Sequence, residues 1–255
     1  MKKTAFTLIE LLVVISIIAL LLAILMPALQ KIKERARLVV CQTNHKNLIL
    51  GWKLYANDND GRLVGAHTSP PKSSYSGWVD NPASLSLEDK ILAVKRGLLF
   101  KYMKTVDVYN CPSDKRDFDG VQNAWRTYSI VDSMNGGSWG AESFKKEPQI
   151  PSPADKIVFL EEFDPRGWNM GSWVIQEPLN LENYTWIDGL GVYHKDSSTF
   201  SFPDGHMESH KWQDKRTIEL YEDMIDLIAI PNGNGMATHD GSVDVEYIKR
   251  AWAHK

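Results

Sequence analysis

The stretch from Phe6 to Leu29, FTLIELLVVISIIALLLAILMPAL, constrains the rest of the chain more than any other. Its 24 residues carry one formal charge, Glu10. As a helix rising about 1.5 Å per residue it is roughly 36 Å long, enough to cross a ~30 Å hydrocarbon core with some tilt. A membrane span is therefore the first expectation. A carboxylate at the centre of a membrane costs about 2.5–3.5 kcal/mol on insertion scales, so an acid inside such a run is expected to have a partner and a job. Two competing readings are weaker: a secretory signal peptide, whose apolar stretch is about 7–15 residues long with a small-residue cleavage site behind it, and an ordinary uncleaved anchor. Flanking charge does not orient the span. Lys2 and Lys3 precede it, while Lys31, Lys33, Arg35 and Arg37, offset by Glu34, follow it.

Beyond the run, about 225 residues remain, enough for one or two modest domains. A net charge of −3 gives no reason to expect a nucleic-acid partner. Nine tryptophans and nine tyrosines make this part aromatic-rich. Cys41 and Cys111 are the two cysteines; in an oxidising compartment they fit one disulfide, the alternative being two buried free thiols.

The helix is expected to outlast the membrane. Leu29, Ile32, Ala36, Val39, Thr43, Asn47, Leu50 and Leu54 recur at three- and four-residue steps, opposite Lys31, Arg35, Gln42 and Lys46. Asn57-Asp58-Asn59-Asp60-Gly61 predicts the stop, so one helix covers 6–57, with 6–29 as span and 30–57 as spine. Pro27, which lacks an amide proton, is expected to bend or loosen it. The spacing then predicts a helix over 85–103 capped by Ser84 or Ser86, and a short strand from Val106 to Asn110 running into a Cys111-Pro112-Ser113-Asp114 turn. Strands are expected at Tyr128–Val131 and Lys156–Glu161. A hairpin pairs Thr199–Phe202 with His206–Trp212 about Asp204-Gly205. The tail reads as an amphipathic helix over 218–230, a second turn at Asp240-Gly241 and an alternating segment from Val243 to Tyr247. Residues 58–255 form the head in this reading.

Candidate chemistry is sparse. The Asn/Asp run before Gly61 is no calcium loop, because the first and closing ligand positions fall on Ala56 and His67. Trp139, Trp168 and Trp173 lie on Gly-punctuated loops, where tryptophans either stack on sugars or fill a core; the core is expected. His206, Glu208 and His210 share one strand face near His194, yet read as exposed strand polarity rather than a metal site. There is no nucleophile elbow, phosphate loop or zinc-spaced cysteine pair, so no enzyme, metal or cofactor is expected.

The amino-terminal residues Ala5-Phe6-Thr7-Leu8-Ile9-Glu10-Leu11-Leu12-Val13-Val14 closely resemble the signature of type IV pilins and type II secretion pseudopilins. The resemblance implies a leader over 1–5, cleavage between Ala5 and Phe6 by a prepilin peptidase, and methylation of the new Phe6 terminus by the same enzyme. The family normally carries Gly before the cut, and Ala5 in its place predicts slower cleavage. Glu10 becomes the fifth residue of the mature chain, the family's assembly acid, implied to meet the amino terminus of a neighbouring subunit. Far away, nine residues separate His194 from Asp204-Gly205, which resembles the H-x9-DG element of a large group of prepilin-processed proteins. His194 is expected to bond hairpin backbone, through the Asp204 carboxylate. The fold implied is α+β: a long amino-terminal helix carrying a mostly antiparallel head. The function implied is a non-catalytic pseudopilin-like subunit with other pilin-like subunits as partners, inserted in the inner membrane, amino terminus cytoplasmic and head periplasmic. The rival readings are a pilin-anchored polysaccharide-binding module and a periplasmic enzyme on the same anchor.

Overall fold

The computed structural model describes residues 7–68, 77–118, 121–122, 126–136, 143–164, 168–169, 171–176, 185–186, 188–226 and 242–252. Helix α1 (Leu8–Asp58) comes first, 51 residues or about 76 Å, unbroken through Pro27. The Asn side of the predicted stop ends it. The Asn59 side chain donates to the Tyr55 carbonyl (2.7 Å), and Asp60 and Gly61 turn left-handed, which lets the Gly61 amide reach back to Ala56 (2.8 Å).

From Cys41 onward one face of α1 is buried: Cys41, Asn44, His45, Leu48, Ile49, Trp52 and Ala56. This is not the stripe expected from spacing. Val39, Leu50 and Leu54 are 58%, 45% and 53% exposed, and Thr43 and Asn47 are exposed beside them. Both stripes have helical periodicity. The head covers the one holding Leu48, Ile49 and Trp52, which removes more apolar area from water.

The head is built on antiparallel pairing. Two-residue ribbons β1 (Asp117–Phe118) with β2 (Val121–Gln122), and β5 (Ile175–Gln176) with β6 (Thr185–Trp186), stand apart from the main sheet. That sheet runs β3 (Tyr128–Ile130), β4 (Phe159–Phe163), β8 (Ser197–Ser201), β9 (Met207–Lys211). β7 (Gly189–Leu190) shares β4's second edge with β8: Phe159 and Leu160 pair with Ser201 and Phe200, Glu162 and Phe163 with Leu190 and Gly189. Every residue of β4 is buried, as in a strand covered on both faces, so Glu161 and Glu162 must find partners inside.

The helices correct several expectations. α2 (Leu87–Arg96) is capped by Ser86, whose hydroxyl accepts the Asp89 amide (3.2 Å). It ends at Gly97, whose backbone turns extended while the Leu98 amide bonds the Gly77 carbonyl (3.1 Å), so the helix expected over 85–103 is cut and resumes as the short α3 (Phe100–Met103); a Cβ at 97 would strike the Trp78 and Val79 backbone. The strand expected at 106–110 is a 3-10 turn over Asp107–Tyr109. Val108 and Tyr109 are both buried there, and the Tyr109 amide closes the turn on the Val106 carbonyl (3.1 Å). The tail helix is α4 (Lys215–Asp226). The alternating Val243–Tyr247 is the start of α5 (Val243–Ala251), because Val245, Ile248 and Ala251 face the core at helical steps and the Asp244 carboxylate accepts the Gln213 and Asp214 amides (both 3.0 Å). Asp240-Gly241 lies outside the described residues.

The core joins α1, the sheet and the aromatics. Trp78 stacks on Tyr109 (5.8 Å) and meets Phe159 edge-on (5.3 Å). Trp168 and Trp173 are 2% and 1% exposed, core residues as expected; Trp139 lies outside the described residues. The Arg126 guanidinium sits 5.1 Å and 5.0 Å from the Trp78 and Trp168 rings, a buried cation between two π faces.

Candidate assembly helix and its anchor points

The amino-terminal half of α1 stands clear of the head. Leu8, Ile9, Leu20, Leu21, Ile24 and Ile32 are each more than 60% exposed, and the most apolar 18-residue window has none of its residues buried. An all-round apolar helix of this length left bare by its own fold requires another apolar phase, lipid or neighbouring helices. The uncovered stripe continues along the spine through Val39, Leu50 and Leu54.

Glu10 is folded back on the start of its own helix. Thr7 is the N-cap: its hydroxyl oxygen accepts the Glu10 amide (3.2 Å), while the Glu10 Oε2 accepts the Thr7 amide (2.8 Å) and hydroxyl (2.7 Å). This reciprocal box satisfies backbone donors that a helix start leaves open. The sequence reading assigns Glu10 without Thr7, although Thr7-x-x-Glu10 ahead of an apolar run is the signal for it. Ala5 and Phe6 lie outside the described residues.

The head grips α1 at several places. Cys41 is joined to Cys111 by a disulfide (Cα–Cα 5.4 Å), beside which the Asn44 amide donates to the Asn110 carbonyl (2.9 Å). Asp114, closing the Cys-Pro-Ser-Asp turn, takes a bidentate contact from Arg116 (Nε–Oδ1 2.9 Å, Nη2–Oδ2 2.6 Å). Two turns along the helix, the β8–β9 hairpin lies against it. Lys46 donates to the Gly205 carbonyl and Lys53 to the Pro203 carbonyl, both at 2.6 Å, and Lys53 also pairs with Glu147 (2.6 Å). Gly205 has φ +96°, the left-handed region that a side chain avoids, and its amide closes the turn on Phe202 (2.9 Å).

His194 and Asp204 do not meet one another through their side chains. Asp204 accepts the His206 amide (3.0 Å) and pairs with His206 Nδ1 (2.6 Å), and that imidazole stacks on Phe202 (4.1 Å). His194, expected to bond hairpin backbone through Asp204, turns inward. Its Nε2 lies 3.1 Å from Glu161 Oε1 and 3.4 Å from Cys111 Sγ, and its amide donates to the Ser197 carbonyl (3.4 Å). Glu161 holds its other oxygen on the Thr199 amide (3.0 Å). Sequence reasoning misses this role, since an acid in a five-residue buried strand leaves no local pattern. His206, Glu208 and His210 do not converge: Glu208 accepts the Tyr247 hydroxyl, and His210 stacks on the same Tyr247 ring (3.7 Å).

An open groove of about 1330 Å³ separates the middle of α1, Pro27 to Leu38, from the head rim at Arg116, Tyr193, His194 and Tyr221. Lys31, Arg35, Lys115 and Lys195 make its walls predominantly basic.

Among known proteins, residues 1–26 match the family model described as the prokaryotic N-terminal methylation motif. No curated protein and no solved structure matches the chain. A methylation motif set on a bare apolar helix, with an antiparallel head behind it, supports a type IV pilin-like protein processed by prepilin peptidase and is consistent with a single membrane pass.

Proposed function

We propose that the chain is a non-catalytic, pseudopilin-like structural subunit of a type II secretion or type IV pilus-like assembly. It is cut between Ala5 and Phe6, methylated on Phe6, and held in the inner membrane with its amino terminus cytoplasmic and its head periplasmic. The observation that carries this reading is the bare helix behind a methylation motif. Such a helix must be covered, and in a filament the covering phase is other copies of the same helix or its pilin-like partners. The stripe through Val39, Leu50 and Leu54 extends that contact past the membrane. Glu10 is the assembly acid. In the isolated chain Thr7 occupies one of its oxygens, and a neighbour's amino terminus would meet it one turn into the helix, where a negative charge is also favoured by the dipole. The burial of Trp168 and Trp173 takes two of the three loop tryptophans away from a polysaccharide-binding role.

The test is the mass of the amino-terminal peptide from native membranes. A chain beginning at Phe6 with one added methyl is expected. An intact Met1 leader overturns the proposal, leaving a plain tethered domain.

A further inference from the structure

The disulfide has two neighbours it does not need. Glu161, fully buried in mid β4, and His194, whose side chain is 4% exposed, both aim at it. Cys41 Sγ, Cys111 Sγ, a Glu161 carboxylate oxygen and a His194 ring nitrogen all lie within 4.8 Å of one another. Zinc-class bonds of about 2.0–2.3 Å set the edges of a tetrahedral donor set at roughly 3.3–3.8 Å. The His194–Glu161 and His194–Cys111 separations, 3.1 Å and 3.4 Å, are already close to those edges. What the arrangement lacks is two separate thiolates.

We propose that with the Cys41–Cys111 bond reduced these four side chains, two thiolates, one imidazole and one carboxylate, form a site for one zinc-class divalent cation. Two thiolates and an imidazole select a borderline-soft ion over calcium or magnesium. The steps balance. A dithiol reductant transfers two electrons and two protons to the disulfide, giving two thiols and its own disulfide. The cation then displaces both thiol protons to solvent and takes two sulfurs, the His194 nitrogen and a Glu161 oxygen. Uptake therefore releases protons and strengthens as pH rises.

The surroundings suit this. The Thr199 amide fixes the far oxygen of Glu161, the supporting bond that a ligating carboxylate needs. The Thr127 hydroxyl accepts the Cys111 amide (2.9 Å), and the Ser113 amide points at the Cys111 sulfur (3.4 Å), a contact that supports a thiolate. His45, one turn beyond Cys41, is held neutral by burial, so this wall adds no cation. His194 also lines the groove beside α1, which gives ion and reductant a route in. The ion and the disulfide are thus alternative closures of one site, the ion belonging to the chain before oxidation.

The experiment titrates the purified full-length chain in detergent with Co²⁺ alone, without oxygen, after reduction by a phosphine. One equivalent is expected to give the visible bands of tetrahedral cobalt and a thiolate charge-transfer band, while the oxidised chain gives neither. Glu161→Gln and His194→Gln should each weaken uptake by roughly tenfold or more, and Cys41→Ser should remove much of the charge-transfer intensity. The proposal is overturned by a reduced chain that keeps its far-ultraviolet dichroism but shows no bands, by equal uptake in the oxidised chain, or by wild-type affinity in both Glu161→Gln and His194→Gln. Reduction that unfolds the head, with no recovery on adding Co²⁺, overturns it as well.

Discussion

Replacing both Cys41 and Cys111 by alanine should destabilise the head by about 4 kcal/mol. The bond closes a loop of 70 residues. In the chain-entropy treatment, a loop of that size removes about 15 cal/mol/K from the unfolded ensemble, which is about 4 kcal/mol at 25 °C. The folded side changes little. The Asn44–Asn110 hydrogen bond still holds the turn to α1, and the Cys111 amide keeps its Thr127 acceptor (both 2.9 Å); the contacts given up are the long ones to the Cys111 sulfur from the Ser113 amide and from His194 (both 3.4 Å), and His194 keeps Glu161. The loss should therefore come from the unfolded chain. The assay is urea denaturation of the full-length protein in micelles, followed by tryptophan fluorescence, for which Trp52, Trp78, Trp168, Trp173 and Trp212 are buried reporters. The midpoint should fall with the slope nearly unchanged. The single Cys111→Ala variant should lose about as much as the double, since either breaks the loop. A loss below about 1 kcal/mol in the double variant would refute the reasoning, because the unfolded chain would then gain little freedom from the cut.

Three further outcomes are expected. Burial raises the Glu162 carboxyl from 4.5 to about 7, with Arg126 pulling the other way. Between those values the folded chain keeps a proton that the unfolded chain has released, so this group's contribution to stability falls as pH rises from about 4.5 to about 7, by on the order of 3 kcal/mol. Glu162→Gln should remove that contribution, and a variant whose pH–stability curve parallels wild type through this window would sink the assignment. Thr7→Val deletes the N-cap and should cost about 1 kcal/mol locally, read as faster amide exchange at Glu10 and Leu11 in micelles; unchanged protection would mean the box does not form. Gly205→Ala forces a side chain into the left-handed region and should cost on the order of 1–2 kcal/mol, measured by the same urea assay; an unchanged midpoint would show that the turn relaxes freely.

Much of the architecture is legible along the chain because its signals are local. The apolar run, the Asn59-Asp60-Gly61 stop and the Asp204-Gly205 hairpin each depend on neighbours in sequence, and each forms where its residues lie. What could not be read depends on distant partners. Two stripes of the spine have the same period, and only contact with the head decides for Leu48 and Trp52 over Val39 and Leu54. Val243-Asp244-Val245 alternates like a strand, yet Asp244 accepts amides some thirty residues away and Ile248 extends the apolar pattern at a helical step. α2 ends at Gly97 because the Leu98 amide is drawn to the Gly77 carbonyl some twenty residues back, which nothing in its own vicinity announces. Glu161 is the clearest case: its partners, Thr199 in the neighbouring strand β8 and His194 just ahead of that strand, lie more than thirty residues away in sequence. The Thr7–Glu10 box was legible in spacing and shows how Glu10 is held in a single chain.

Lys46 and Lys53 stand seven residues apart, about two turns and ~10.5 Å along the axis, and grasp opposite ends of one hairpin tip through Gly205 and Pro203. Two points of purchase along a rod, with the Cys41 bridge as a third, remove the freedom of the head to swivel about it. The azimuth between the head's outer surface and the bare Val39–Leu50–Leu54 line is then a constant of the fold. Copies stacked through that line would each present their heads at the same angle, so the pitch at which bare helices nest would be transmitted unaltered to the periodicity of the outer surface.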